Sequence, residues 1–223
     1  MNQNLSRRVA AEFLGTAFLL ATVVGSGIMG EKLASGNVAI ALLANSIATG
    51  GALIALILTF AEISDAHFNP IVTLSQKINN AVSWREFIFY FLAQTFGAVV
   101  GVMIANLMFE LPIVFLSQKT RSGTAQFLSE FVATFGLVAV ISGCSRSSKF
   151  ANFTPFAVAG YIVAAYWFTS STSFANPSVT IARTLSDTFA GIRFQDAPLF
   201  ILAQILGAVS ATIVFNWLLK EKR

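Results

Sequence analysis

The sequence predicts an all-α membrane protein: six spanning helices and two short re-entrant half-helices in an inverted internal repeat, forming one transmembrane domain over residues 1–223. Three observations predict it. Of the residues, 56% are hydrophobic and only 11% charged, where soluble chains carry about 25% charged. Six apolar stretches, at 9–29, 38–63, 87–109, 127–143, 153–170 and 199–218, are long enough to cross a bilayer, which takes ~20 residues in a helix. Finally, three short signatures in the first half recur in the same order in the second.

The elements follow from local chemistry. Charges and turn formers are concentrated between the apolar stretches: Glu31 and Lys32, Ser117 to Ser122, Ser145 to Lys149, and Arg193 to Pro198. The first stretch begins soon after Arg7 and Arg8 and resembles a signal peptide in position. It lacks a small-residue cleavage site followed by a soluble chain, so it reads as a retained span. Six crossings place both termini on one side. That side would carry Arg7, Arg8, Lys77, Arg85, Arg146, Lys149, Lys220, Lys222 and Arg223, and the other Lys32, Lys119, Arg121, Arg183 and Arg193. The excess predicts cytoplasmic termini in a multi-pass protein of a bacterial inner membrane. The lone Cys144 excludes an internal disulfide framework. The basic residues flank apolar runs instead of forming a patch on a soluble fold, so no nucleic acid is expected as partner.

Self-comparison gives the repeat. Ala11-Glu12-Phe13-Leu14 corresponds to Ser129-Glu130-Phe131-Val132, Phe68-Asn69-Pro70-Ile71-Val72-Thr73 to Ala175-Asn176-Pro177-Ser178-Val179-Thr180, and Leu92 to Val99 to Leu202 to Val209. The units fall at about 8–110 and 125–219. Each holds three spans, so the second copy enters the membrane from the opposite side and the repeat is inverted. In each half a segment too short to span, 69–78 and 176–185, follows the second helix. Asn is a strong helix cap and Pro is tolerated at the first helical position, so each segment starts a helix at its Asn. Inverted symmetry points these two starts at each other near the midplane. Each presents unpaired N–H groups and the positive end of a helix dipole. The irregular backbone before each Asn is admissible at that depth only along a water-filled cavity, where its carbonyls serve as acceptors. Such a path suits polar neutral molecules and opposes protons and cations.

With Ala11-Glu12-Phe13-Leu14-Gly15-Thr16, His67-Phe68-Asn69-Pro70, Gln94 with Gly97 and Gly101, and Asn176-Pro177, the chain from about Arg8 to Leu219 resembles the aquaporin, or major intrinsic protein, family. The resemblance implies a right-handed bundle assembled as a homotetramer in lipid, with one pore per subunit. It also implies roles. Asn69, Pro70, Ile71, Asn176, Pro177 and Ser178 form the two pore motifs, with Ile71 and Ser178 departing from the usual Ala behind each Asn. Glu12 and Glu130 brace the re-entrant loops by accepting backbone hydrogen bonds; for Glu12, near its helix start, reaching the interface is the alternative. His67, the only His, lines the cytoplasmic half of the pore, and without partners at ligand spacing it is a poor metal site. Asp65 stands where Gly is usual.

The family's outer constriction, counted from the two Asn residues, falls on Thr49, Ala164, Ser173 and Val179. These lack the bulky aromatics and the arginine common there, so a wide, weakly charged filter is expected. Arg183, one helical turn beyond Val179, is either a replacement cation at the outer mouth or a snorkelling interfacial residue. Thr49 and Val179, with residues 21–28 and Phe109-Glu110-Leu111-Pro112, resemble a bacterial aquaglyceroporin branch associated with arsenic-resistance operons. The expected activity is passive diffusion of water and small uncharged solutes: glycerol, urea and metalloid acids such as arsenous acid. A water-selective pore is one alternative. A secondary transporter, which also uses inverted repeats, is another, but the spans hold few acidic residues for a coupling site beyond Glu12 and Glu130. No nucleophile, base and orienter set is present, so an enzyme is not expected, nor is a cofactor or metal.

Overall fold

The structure, a computed structural model, describes residues 4–220; Lys222 and Arg223, which enter the charge asymmetry, lie outside the described residues. Eight α-helices follow in order: α1 (Leu5–Leu33), α2 (Val38–Ser64), α3 (Pro70–Ile78), α4 (Trp84–Met108), α5 (Thr124–Ser145), α6 (Thr154–Phe168), α7 (Pro177–Ala182) and α8 (Ala197–Leu218). Their starts are set by polar side chains. Asn37 accepts from the Ala39 and Ile40 N–H groups at the head of α2. Ser83 and Glu86 cap each other's backbone at the head of α4.

Five elements, α1, α2, α4, α5 and α8 with its preceding turn, are long and apolar enough to cross a membrane. The sixth expected span is a 15-residue helix, α6, preceded by a 3₁₀ turn, Ala151–Phe153. At ~1.5 Å per residue α6 alone covers ~22 Å, so flanking turns complete its crossing of a ~30 Å core. Helix α1 exceeds the expected span at both ends; at its start Arg8 is held within it, paired with Glu86 at 2.5 Å and with its guanidinium over Tyr90. The second half-helix is shorter than expected. After Ala182 it passes into a 3₁₀ turn, Arg183–Leu185. The carbonyls of Thr184 and Leu185 are taken by the N–H groups of Ser117 and Phe115 on the connection between the halves.

Packing repeats in the two halves. Helix α1 lies against α2 and α4, and α5 against α6 and α8; α2 and α6 join the halves along one side. The closest crossings fall at matching glycines. A Cβ on Gly97 would strike the Phe13 carbonyl, and one on Gly207 the Phe131 carbonyl. Lipid tails are as apolar as the helices, so backbone approach through small residues is what holds such crossings together. Outward faces carry large apolar side chains such as Phe18, Ile47, Phe96, Leu128 and Ile213.

Helix ends identify the two faces. Asn216 near the end of α8 meets Asn79 after α3 and Arg146 after α5, on the face that holds the start of α1. Lys119, Arg121 and Arg193 gather on the opposite face.

Candidate pore

Helices α3 and α7 begin at Asn69 and Asn176, each with Pro at the first helical position. The Asn69 side-chain oxygen accepts from the Ile71 N–H, and that of Asn176 from the Ser178 and Val179 N–H groups. The amides then cross between the halves: Asn69 Nδ2 donates to the Ala175 carbonyl at 2.8 Å, and Asn176 Nδ2 to the Phe68 carbonyl at 2.9 Å. The two helix starts therefore meet head to head, tied by a reciprocal pair of bonds. A primary amide carries two N–H donors, so each Asn keeps a second for the lumen.

The loops before each Asn adopt one conformation twice. Asp65, Ala66 and Phe68 have φ of 65°, 47° and 48°, and Thr172, Ser173 and Ala175 have φ of 63°, 51° and 46°. A non-glycine residue in this region costs roughly 1–2 kcal/mol, and buried acceptors hold it there. Glu12 accepts from the N–H groups of His67 and Phe68, the Ser64 hydroxyl and the Gln94 amide, at 2.6–2.9 Å. Glu130 accepts from the N–H groups of Phe174 and Ala175 and the Gln204 amide, at 2.7–2.9 Å. Both glutamates are 0% exposed, which conflicts with Glu12 reaching the interface. With these N–H groups turned to the glutamates, the carbonyls of Asp65, Ala66 and His67, and of Thr172, Ser173 and Phe174, take no protein donor among the described residues.

A cavity of ≈ 840 Å³ runs past both Asn residues. Asp65, His67, Phe68, Asn69, Val72, Ser173, Phe174, Ala175, Asn176 and Val179 line it. Toward the face of the termini it is lined by Glu62, Asp65, Gln76 and Asn152, and toward the other face, where the narrow end is expected, by Thr49, Tyr166, Val179 and Arg183. His67 faces the lumen on the termini side, its Nδ1 3.1 Å from Thr73 Oγ1. Ile71 is buried in an apolar cluster with Tyr166 and Ala175, and Ser178 Oγ lies 3.0 Å from Thr95 Oγ1, so both sit behind the lumen wall.

Thr49, Ser173 and Val179 line the lumen, but Ala164 does not. It is exposed on the outside of α6. Fixed counting back from Asn176 fails because the loop after α6 sets which face turns inward. Ile162 and Tyr166, a turn apart, face the lumen, and a residue two places from either points the opposite way on a helix. Tyr166 takes the place assigned to Ala164, its hydroxyl 3.2 Å from Thr49 Oγ1. Arg183 is 2% exposed, which excludes snorkelling at the interface; its guanidinium lies 3.4 Å from the Phe174 ring centroid, and its Nε donates to the Ala190 carbonyl. This end thus holds a cation, one of the two readings of Arg183, and a large aromatic side chain that counting did not predict. Tyr166 was legible in one respect: Val158, Ile162 and Tyr166 recur every four residues along the sixth span.

A bundle in which two broken helices meet head to head beside a polar-lined lumen is a membrane channel. Sequence comparison agrees. The family model described as "Major intrinsic protein" matches residues 1–173. The chain is 49% identical over 220 residues to Aquaglyceroporin AqpS of Rhizobium meliloti, covering 99% of this chain and 93% of that protein. It is 30% identical to Probable aquaporin AqpM of Archaeoglobus fulgidus over 99% of this chain and all of that one. Its fold superposes on the X-ray structure of the aquaglyceroporin from Plasmodium falciparum with a TM-score of 0.74 at 21% identity, covering 97% of each chain. The chain belongs to the major intrinsic protein family, and it is a multi-pass membrane channel for water and small solutes, not an enzyme.

Proposed function

We propose that this channel passes water together with larger uncharged hydroxylated solutes: glycerol, urea and metalloid acids such as arsenous acid. The observation that carries the reading is Val179 at the narrow end of the lumen, where an arginine would occlude and charge the path. Thr49 and Ser173 add small polar residues to the lining, in place of bulky ones. The relative named an aquaglyceroporin supports the same class of solute.

A second reading, water selectivity, is favoured by Tyr166 and Arg183, which crowd the same end. Stopped-flow swelling and shrinkage of proteoliposomes separates the two. Wild-type protein should pass glycerol, urea and arsenous acid, and Val179→Arg should cut those fluxes by roughly tenfold or more while sparing water. Equal solute flux in both variants would sink the wide-filter reading, and water flux alone in the wild type would establish the second. On the same reading the chain acts as a homotetramer with a pore in each protomer, in a bacterial inner membrane with cytoplasmic termini.

A further inference from the structure

Arg121 belongs to neither half-helix and does not line the lumen, yet it packs, half-buried, behind the narrow end. It lies on the connection between α4 and α5. Its Nη1 donates to the Ser171 carbonyl at 3.0 Å and lies 3.4 Å from Thr172 Oγ1. Its Nε donates to the Gly191 carbonyl at 2.9 Å, and its own N–H donates to Asp196. One guanidinium thus ties the loop before α7 to the segment after it. The Arg121 guanidinium carbon is 5.0 Å from the Phe174 ring centroid, and that of Arg183 is 3.4 Å from the same centroid. Both cations bear on one ring, which also packs edge-on against Phe200.

The other half supplies an internal comparison. Ser64 stands before Asn69 as Ser171 stands before Asn176. The Ser64 carbonyl accepts from the Tyr90 hydroxyl at 3.0 Å, and Arg8 Nε donates to that hydroxyl at 2.9 Å. Both repeats secure the same carbonyl, one through a phenol backed by arginine and the other through arginine directly. The direct version brings a full charge next to the narrow end, and its planar fork holds the two carbonyls through separate nitrogens, Nε and Nη1, whereas an ammonium offers all its donors from one atom.

We propose that Arg121 is a positioning residue for solute selection: by fixing the 171–172 backbone and Phe174, it sets the orientation of the Arg183 guanidinium at the narrow end of the pore. The inference rests on the reading that this end selects solutes. Among the described residues the Arg183 side chain makes one hydrogen bond, through Nε, so its outer nitrogens take their direction from that bond and from the ring beneath. Loosening Phe174 therefore turns the only lumen-lining arginine of the described residues without touching it.

The test measures the glycerol-to-water permeability ratio in proteoliposomes of wild type, Arg121→Met, Arg121→Lys, Arg183→Met and the Arg121→Met/Arg183→Met double variant, each checked for folding by gel filtration and thermal midpoint. Arg121→Met should shift the ratio by roughly three- to tenfold, inside the range of coupling through packed networks. Arg121→Lys should shift it similarly, because a single ammonium nitrogen on a flexible stem does not reproduce the fixed spacing of Nε and Nη1. In the Arg183→Met background, Arg121→Met should add no further shift. Wild-type behaviour of Arg121→Lys, or additive effects in the double variant, overturns the proposal. If Arg183→Met shifts the ratio and Arg121→Met does not, the proposal fails while the selecting role of the narrow end stands. If Arg183→Met itself leaves the ratio unchanged, it is that role that fails. Should Arg121→Met not fold, Arg121→Gln, which keeps one amide donor for the Ser171 carbonyl, replaces it under the same criteria.

Discussion

Tyr166 and Ala164 differ by two positions and by which side of a helix they occupy. Tyr166→Ala removes a lumen-lining ring and the hydroxyl partner of Thr49, so glycerol flux in vesicles should rise relative to water by several-fold. Ala164→Leu, on the outside of α6, should leave both fluxes within the error of the swelling assay. A reversal would restore the counted position as the filter residue. Glu130 offers a second test at this scale. Its carboxylate takes two backbone N–H groups and the Gln204 amide. Glu130→Gln keeps the shape but turns an amide donor toward one of these donors. Leaving one buried donor unpaired costs about 1–3 kcal/mol, so the thermal midpoint in detergent should fall and flux with it. A fully active Glu130→Gln of unchanged midpoint would show that the brace is dispensable.

Helix crossings and loop attachments are decided among elements. At Gly101 an added Cβ would meet the Ala17 carbonyl of α1, whereas at Gly160 it meets nothing within 4 Å. Gly101→Ala should destabilise by about 1–3 kcal/mol through overpacking of a backbone contact. Gly160→Ala should be neutral or slightly stabilising in detergent-solubilised protomers, since alanine is the better helix former. Equal midpoints for both variants would remove the α1–α4 crossing as a determinant. On the opposite face, Lys119 Nζ donates to the Phe189 carbonyl at 2.7 Å and sits over the Phe189 ring. Burial, with the nearby charges of Arg121 and Arg183, pulls its pKa down from 10.5 to about 8. Unfolded chains therefore bind more protons than folded ones between those values, and stability contributed by this site rises as pH climbs through that window. Relative to Lys119→Met, the wild-type thermal midpoint should increase from pH 7 to pH 10; a difference that is flat with pH contradicts the assignment.

For the whole molecule, the orientation in the membrane is the property to measure. With Cys144 replaced by Ala, a cysteine at Thr120 should react with an impermeant maleimide on intact cells. One at Lys220 should react only after permeabilisation. The opposite pattern would invert the positive-inside assignment without altering the fold. Six spans, two caps and the repeat were legible because they are written in local chemistry: apolar length, Asn before Pro, and glutamates and glycines at matching places. The lumen wall at the narrow end was legible only in part. Thr49, Ser173 and Val179 were reached by counting the family's positions from each Asn, while Tyr166 was not, because the loop after α6 leaves the rotation of that helix unspecified.

The amino-acid sequence alone determined that the chain lives in lipid, crosses it with an inverted repeat, and breaks a helix at Asn69 and at Asn176, since hydropathy, capping and periodicity act over a few neighbouring residues. Only the tertiary structure decided that the two amides exchange bonds with the opposite half, that Tyr166 turns inward, and that Arg183 lies on Phe174. Those contacts join residues separated by up to about a hundred positions, and helix rotation, fixed by packing across the bundle, chooses among faces that local patterns leave equivalent.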